Sequence, residues 1–311
     1  MSSKSIKVFS PATVANVVCG FDIMGFAVDQ PGDIIEMKLE NHNKVVIEAI
    51  YGDEGKLPLD PEKNTVSISV IHFLKHIGIQ CGVSIKLHKK MPLGSGLGSS
   101  SASTVGGVFA INELLGKPLN KIDLLPFAME GEKLACGVAH ADNVAPALLG
   151  GFVLIRSYNP LDVIKLPAMD NLYCTLIHPH MTINTKDARA ILPNTIPFDT
   201  CINQWGNIGG AVAGICMNDK SLFTRSLQDF IVEPIRAKLI PGFDLAKKAA
   251  MNAGALAGGI SGSGPSIFML SENKQIAQNI GYAMQKAFQE HALKSTLYVA
   301  QINYEGPIIL N

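Results

Sequence analysis

Val83, Ile85 and Leu87 alternate with Ser84, Lys86 and His88, the two-residue period of a half-buried strand. Ile35, Met37 and Leu39 alternate with Glu36, Lys38 and Glu40 in the same way, which predicts an antiparallel strand backed by solvent. Val45 to Ile50 reads as its neighbour, and Ile6 to Phe9 as a short first strand. Further strands are expected over Phe152 to Ile155, Leu172 to His178, Leu256 to Ile260, Ser266 to Leu270 and Thr296 to Ile302. The helical period takes over elsewhere. Asn64 is a candidate N-cap for a helix through His76, with Val66, Val70, Phe73 and Leu74 on one side. Thr104 to Leu115 is apolar and small and stops at Gly116-Lys117-Pro118. Asn120 is a candidate cap for a helix carrying Glu130 and Glu132, in which Pro126 predicts a kink or a later start. Helices are expected around 203–218, 220–230 and 243–253, and Ile276, Ile280, Ala283, Met284, Ala287 and Phe288 form one helical stripe. Strands and helices mix without strict alternation, which argues an α+β fold. The polar stretch Arg156 to Pro167 reads as the passage between two units, 1–160 and 161–311.

Between the strand at Val83 and the helix at Thr104 lies Pro92-Leu93-Gly94-Ser95-Gly96-Leu97-Gly98-Ser99-Ser100-Ser101-Ala102-Ser103. Its glycines stand at a helix entrance, where unpartnered N–H groups and the positive end of the dipole suit a phosphate. Glycine lets the main chain come close to an anion, and serine hydroxyls add donors and a ligand for a phosphate-bound magnesium ion. No Gly-Lys-Ser/Thr follows, so this is not a P-loop, and Gly94-x-Gly96-x-Gly98 is not the dinucleotide spacing G-x-G-x-x-G. A tight turn before a capped helix is the plain alternative.

Composition narrows the classes. The 311 residues are 47% hydrophobic and 17% charged, which describes a well-packed chain. Lys+Arg and Asp+Glu both number 26, so no net field favours nucleic acid or an anionic membrane. His88-Lys89-Lys90 reads as a solvated charge run, with attraction of ATP as the alternative. Cys19, Cys81, Cys136, Cys174, Cys201 and Cys216 are scattered without metal-ligand spacing, which predicts reduced, mostly buried thiols in a reducing compartment. Cys19, inside a motif loop, is the exception to watch. Met1-Ser2-Ser3-Lys4-Ser5-Ile6 has no apolar signal core, and Val144 to Ile155 is broken by Pro146, Gly150 and Gly151. These features point to a cytoplasmic protein.

Pro92-x-x-x-Gly96-Leu97-Gly98-Ser99-Ser100-Ser101-Ala102 resembles the ATP-binding motif of the GHMP kinases. Pro11-Ala12-Thr13-Val14-Ala15-Asn16, running into Gly20-Phe21-Asp22, and Gly258-Gly259-Ile260-Ser261-Gly262-Ser263-Gly264-Pro265-Ser266 are similar to that family's other two motifs, in the family's order. His140-Ala141-Asp142-Asn143-Val144-Ala145-Pro146, Thr185-x-x-x-Arg189-x-x-Leu192-Pro193 and Arg236-x-x-Leu239-Ile240-Pro241-Gly242 resemble the homoserine kinase branch in particular. Val17-Val18-Cys19 departs from the commoner Leu-Gly-Pro, and Ala141 from a usual proline. The resemblance implies an N-terminal domain like ribosomal protein S5 domain 2 and a ferredoxin-like C-terminal domain, with the site between them.

It also implies ATP and Mg²⁺ as cofactors and L-homoserine as acceptor, with no nucleic acid and no membrane partner, and it leaves room for a homodimer. Residues 92–102 would bind ATP, and Ser99 or Ser100 with Glu132 would hold the metal, Ser100 being preferred. A homoserine amine needs a carboxylate, for which Asp22 and Asp142 are candidates. Its carboxylate suits an arginine fork, for which Arg189 and Arg236 are candidates. Asn16 and Asn143 would bond the reacting hydroxyl or the transferring phosphate, and His140 would position substrate. Mevalonate kinase relatives carry aspartate at the position of Asn143. An amide cannot take the hydroxyl proton as a carboxylate does, so catalysis without an enzyme base is expected. A sugar or mevalonate-like acceptor is the runner-up, and a non-catalytic ligand sensor or RNA-binding protein on the same fold comes third.

Overall fold

The computed structural model describes residues 4–137 and 140–310. In chain order the first half contains β1 (Ser5–Ala15), β2 (Met24–Glu40), β3 (Val45–Tyr51), α1 (Thr65–Ile77), β4 (Gly82–His88), α2 (Ser99–Leu114), α3 (Leu125–Cys136), α4 (Ala141–Leu149), β5 (Phe152–Tyr158) and β6 (Leu161–Lys165). The second half contains β7 (Tyr173–Pro179), α5 (Thr185–Ala190), α6 (Phe198–Cys216), α7 (Lys220–Ser226), α8 (Glu233–Arg236), α9 (Phe243–Asn252), β8 (Ala257–Ile260), β9 (Ile267–Ser271), α10 (Lys274–Glu290), β10 (Ser295–Gln301) and β11 (Ile308–Leu310).

The strands form two sheets. The first runs β11-β1-β2-β4-β3, with β5 paired to β2 and β6 paired to β5. The second runs β10-β7-β9-β8, all antiparallel. Numbered within its half, that order is fourth-first-third-second, with helices between the first and second strands and between the third and fourth. This is the ferredoxin-like arrangement the motifs implied. The chain is thus a two-domain α+β fold.

Several local expectations need correction. β1 does not stop at Phe9 but runs through the Pro-Ala-Thr motif to Ala15, with a bulge between Pro11 and Thr13. Proline marks the irregular point and not the strand end, because a bulge needs no donor there. The stretch Arg156 to Pro167 is no linker, since most of it forms the β5–β6 hairpin in the first sheet. The closing strand is followed by β11, which returns to β1. Pro146 does not end a segment but lies inside α4, where its missing N–H leaves the Asp142 carbonyl against Gly25. The helix after Asn120 starts late, as Pro126 predicted, with Pro126 in its first turn after a 3₁₀ turn at Lys121–Leu124. Asn64 caps α1 by accepting the N–H of Val66.

Burial divides into three clusters. Val8, Ile35, Ile85 and Leu87 of the first sheet pack against α1, α2 and α4 through Val70, Phe73, Val105, Ile111 and Val144. α2 is buried on nearly all sides, which explains its small residues: side chains at Gly106 and Gly107 would strike Ile35 and Val66. A second cluster joins the sheets, with Phe26 against Phe152 at 4.9 Å and against Phe268 at 5.6 Å. The third fills the far side of the second sheet with Ile280, Met284 and Phe288 of α10. No helix among the described residues is long and apolar enough to cross a membrane.

The run His88-Lys89-Lys90 is not one solvated face. Lys89 is buried and paired with Asp33 of β2, and its ammonium also donates to the Ser99 carbonyl and the Ser103 hydroxyl, each at 2.8 Å. Asp33 accepts the N–H of Lys90 at 2.8 Å. The pair ties β2, the end of β4 and the first turn of α2 together beneath the glycine-rich loop. Removing one partner strands a buried charge, so Lys89→Met is expected to cost about 3–5 kcal/mol of stability in urea unfolding. A loss under about 1 kcal/mol, the scale of an exposed pair, would show that water replaces the ammonium there.

Candidate active site at the meeting of three loops

Residues 92–98 link β4 to α2. Gly94, Gly96 and Gly98 all have positive φ, at 65°, 78° and 68°. Gly98 caps α2 without any side-chain hydrogen bond, and the first bond of the helix runs from Ala102 N–H to the Gly98 carbonyl at 2.8 Å. Three serine N–H groups therefore lie upstream of the first helical bond, the arrangement that suits an anion. The glycines serve packing as well. A Cβ on Gly96 would sit 2.5 Å from the Ser261 carbonyl, and one on Gly98 would sit 2.0 Å from Thr13 Oγ1 and 2.9 Å from Asn143 Oδ1. Gly98→Val would thus disturb the loop's supports together with any phosphate contact.

The third glycine loop completes the floor. Ser261 Oγ donates to the Gly96 carbonyl at 2.7 Å, and Ser266 N–H to the Ser95 carbonyl at 3.2 Å. Gly262 N–H donates to the Ala15 carbonyl at 3.3 Å. Asn16 donates from Nδ2 to the Gly262 carbonyl at 2.8 Å and accepts the Asp22 N–H at Oδ1 at 3.0 Å. Asn16, Val17 and Val18 all have positive φ, at 72°, 42° and 61°. That conformation is strained for valine, and burial of both valines in the shared core holds it. Glycine would adopt it freely, so the departure from Leu-Gly-Pro leaves strain here. Cys19 is no reactive thiol: burial pushes its pKa up to about 12. Of the other described cysteines only Cys174 is buried, while Cys81 and Cys201 are half-buried and Cys216 is exposed, so the mostly buried set expected from the sequence is not what forms.

The charged candidates converge beside this floor. Arg189 of α5 binds the Asp22 carboxylate with both terminal nitrogens, and His140 Nδ1 lies 3.7 Å from Asp22 Oδ1. The Phe21 ring lies under both guanidinium groups, 5.4 Å from Arg189 and 5.0 Å from Arg236. Arg236 is only 3% exposed, donating from Nε to the Ala188 carbonyl at 3.0 Å and from Nη1 to the Gly262 carbonyl at 3.2 Å. Burial lowers its pKa, while the bond to Asp22 raises that of Arg189. Asp142 is fully buried, and its Oδ1 has no hydrogen-bond partner among the described residues. Burial first and the Asp22 charge second push its pKa up to about 8.

On the other side, Glu132 of α3 is buried and accepts the Ser101 hydroxyl at 2.9 Å. Ser99 Oγ reaches Asp33 at 3.4 Å. Ser101, the residue after Ser100, is thus among the hydroxyls that reach Glu132. No group of three or more His, Cys, Asp or Glu among the described residues forms a metal cage. Two residues that sequence reasoning passed over also belong here. Thr13 Oγ1 donates to Asn143 Oδ1 at 2.7 Å, and Tyr158 donates its hydroxyl to the Asp22 carbonyl at 2.6 Å. Thr13 lies inside a motif that was read for Asn16 alone, whereas nothing in the sequence marks Tyr158.

Residues 64–151 match the GHMP kinases N terminal domain and residues 211–290 the GHMP kinases C terminal domain. The homoserine kinase of Chlorobium phaeovibrioides (strain DSM 265 / 1930) is 51% identical, covering 99% of this chain and 100% of that protein. The chain belongs to the homoserine kinase family of the GHMP kinases. The homoserine kinase of Chlorobium phaeobacteroides (strain DSM 266 / SMG 266 / 2430) is 49% identical over 99% of this chain and 100% of its own length. The crystal structure of homoserine kinase from Cytophaga hutchinsonii ATCC 33406 superposes with a TM-score of 0.96 at 62% identity, covering 98% of this chain and 97% of that one. As a member of this family the chain is an ATP-dependent kinase acting on an alcohol.

The raised pKa of Asp142 has a definite consequence for stability. The native carboxyl holds its proton up to about pH 8, whereas the unfolded one releases it near pH 4. The native state therefore binds more protons between those values, and the stabilisation present at low pH is lost as pH rises toward 8. Asp142→Asn removes this dependence. Urea unfolding from pH 4.5 to 8.5 should show the parent losing stability relative to Asp142→Asn by at most ~1.4 kcal/mol per pH unit. Parallel profiles would mean that the Asp142 carboxyl is hydrated and titrates normally.

Proposed function

We propose that this chain transfers the γ-phosphoryl group of ATP to the hydroxyl of L-homoserine, giving O-phospho-L-homoserine in threonine biosynthesis. The supporting observation is the convergence of Arg189, Arg236, Asp22, Asp142 and His140 beside the unpaired N-terminus of α2. A zwitterion with a primary hydroxyl uses both signs of charge, and a neutral sugar uses neither. ATP would lie along residues 92–102, with its phosphates at the serine N–H groups. Mg²⁺ fits the donor set, since Glu132 and a serine hydroxyl, Ser100 in the motif reading or Ser101 by hydrogen bond, are hard oxygen ligands. When bound, the ion would neutralise charge on the phosphates. The guanidinium groups would hold the homoserine carboxylate, and Asp22 and Asp142 its ammonium, with His140 orienting it through Asp22.

The hydroxyl oxygen would then form its bond to the γ-phosphorus as the bond to the ADP oxygen breaks, and the hydroxyl proton would pass to the transferred phosphoryl group. Asn16 and Asn143 are amides and take no proton, so they would act by position. Positioning and charge stabilisation suffice for this loose transition state. The two units 1–160 and 161–311 go with this reading, the first drawing β6 and β11 into its sheet. A cytoplasmic location goes with it, supported by free thiols at the described cysteines Cys19, Cys81, Cys174, Cys201 and Cys216, and recovery in a membrane or oxidising fraction would contradict it. A homodimer goes with it too, supported by the exposed apolar row Phe198, Ile202 and Trp205 on α6. Light scattering that finds only a 33.2 kDa particle would remove it.

A coupled assay with L-homoserine, L-serine, mevalonate and galactose tests the acceptor. L-homoserine should give the highest kcat/KM, and a preference for mevalonate or galactose would overturn the assignment. Arg189 tests the charge argument. Arg189→Met should raise KM for homoserine about 10–100-fold, as loss of a charged hydrogen bond of roughly 1.5–3 kcal/mol implies, with KM for ATP nearly unchanged. Equal rises in both constants would make Arg189 a structural residue.

A further inference from the structure

We propose that Thr13 is a positioning residue that sets which way the Asn143 amide faces. Thr13 is completely buried and carries a β-branched side chain of restricted rotation. Its backbone is fixed twice, by pairing with Ala27 across the β1–β2 ladder and by donation of its N–H to the Leu97 carbonyl at 3.0 Å. From that fixed point its hydroxyl donates to Asn143 Oδ1, 130 residues away in sequence, at 2.7 Å. Both atoms border the space that a Cβ would need on Gly98, the cap residue of α2.

The two ends of an asparagine amide are nearly alike in shape and opposite in chemistry. Oδ1 accepts and would repel phosphoryl oxygens, while Nδ2 donates and would attract them. A hydroxyl whose proton is aimed at Oδ1 holds the carbonyl end on its own side and leaves both Nδ2 hydrogens for other partners. Thr13 thus presents Asn143 as a donor beside the phosphate loop. Without the hydroxyl, Oδ1 loses the donor it has on this side and the amide is free to turn its acceptor outward. The same tether links the glycine-rich loop, through Leu97, to α4, so it adds one more tie between the two segments.

The proposal rests on the reading of Asn143 as a contact of the reacting groups, and the test separates the two. Steady-state kinetics would be measured for Thr13→Val, Thr13→Ser, Asn143→Ala and the Thr13→Val/Asn143→Ala double variant, with thermal unfolding as a folding control. Thr13→Val, which keeps shape but lacks the hydroxyl, should lower kcat about 10–100-fold with each KM changed less than about threefold. Thr13→Ser, which keeps the hydroxyl, should recover kcat to within about threefold of the parent. The double variant should be no slower than Asn143→Ala, because the tether has nothing left to orient. If Thr13→Val does not fold, Thr13→Ala replaces it with the same expectations. Parental kcat in Thr13→Val, failure of Thr13→Ser to recover, or additive losses in the double variant would each overturn the tether. Parental kcat in Asn143→Ala would overturn the role of Asn143 itself.

Discussion

Everything at the site depends on two glycine loops from opposite halves of the chain coming closer than any side chain permits. Gly96 lies so near the Ser261 carbonyl that a Cβ has no room, and Ser261 Oγ closes the gap by bonding the Gly96 carbonyl. Asn16 adds a third loop by donating to Gly262. These bonds join segments that belong to the two different sheets. The start of α2 and the cluster of charged side chains are thereby set side by side, and their separation is held by side-chain bonds to backbone carbonyls as well as by backbone contacts.

The electrostatics follow from that closeness. The packing of these loops leaves Asp142 buried with an oxygen that has no partner among the described residues, close to the Asp22 charge. Burial first and the nearby Asp22 charge second favour protonation of Asp142, which is the state the raised pKa describes. An incoming ammonium group would favour its charged form instead. Arg236 is the mirror case, a cation taken out of water and held by backbone carbonyls and the face of Phe21. The cluster thus holds groups of both signs side by side, Arg189 paired with Asp22 and Arg236 bonded to the Ala188 and Gly262 carbonyls.

Much of this was legible in the chain. Phosphate-loop glycines, the asparagine and aspartate of the first motif and the two arginines are short-range patterns, each recognisable within a dozen residues. The ferredoxin-like order of the second sheet also followed from the motifs. What escaped is what depends on distant partners or on burial. Lys89 looked like part of a solvated run because Asp33, its partner, lies 56 residues earlier. In sequence the first strand reads only to Phe9, and Pro146 as an interruption of an apolar run, because the irregular pairing at Pro11 and the spare carbonyl at Asp142 exist only once β2 is in place. The bond from Ser101 to Glu132 turns on helical phase, about 100° of rotation per residue, which composition does not specify.

The account places two ligands on adjoining but separate segments, and amide hydrogen exchange reads those segments directly. A non-hydrolysable ATP analogue with Mg²⁺ should slow exchange across residues 92–103. L-Homoserine should slow it at residues 16–22 and around Asp142, Arg189 and Arg236, with little effect on 92–103 when added alone. Protection by homoserine confined to any other surface, or an analogue that leaves the glycine-rich loop unprotected, would contradict the account.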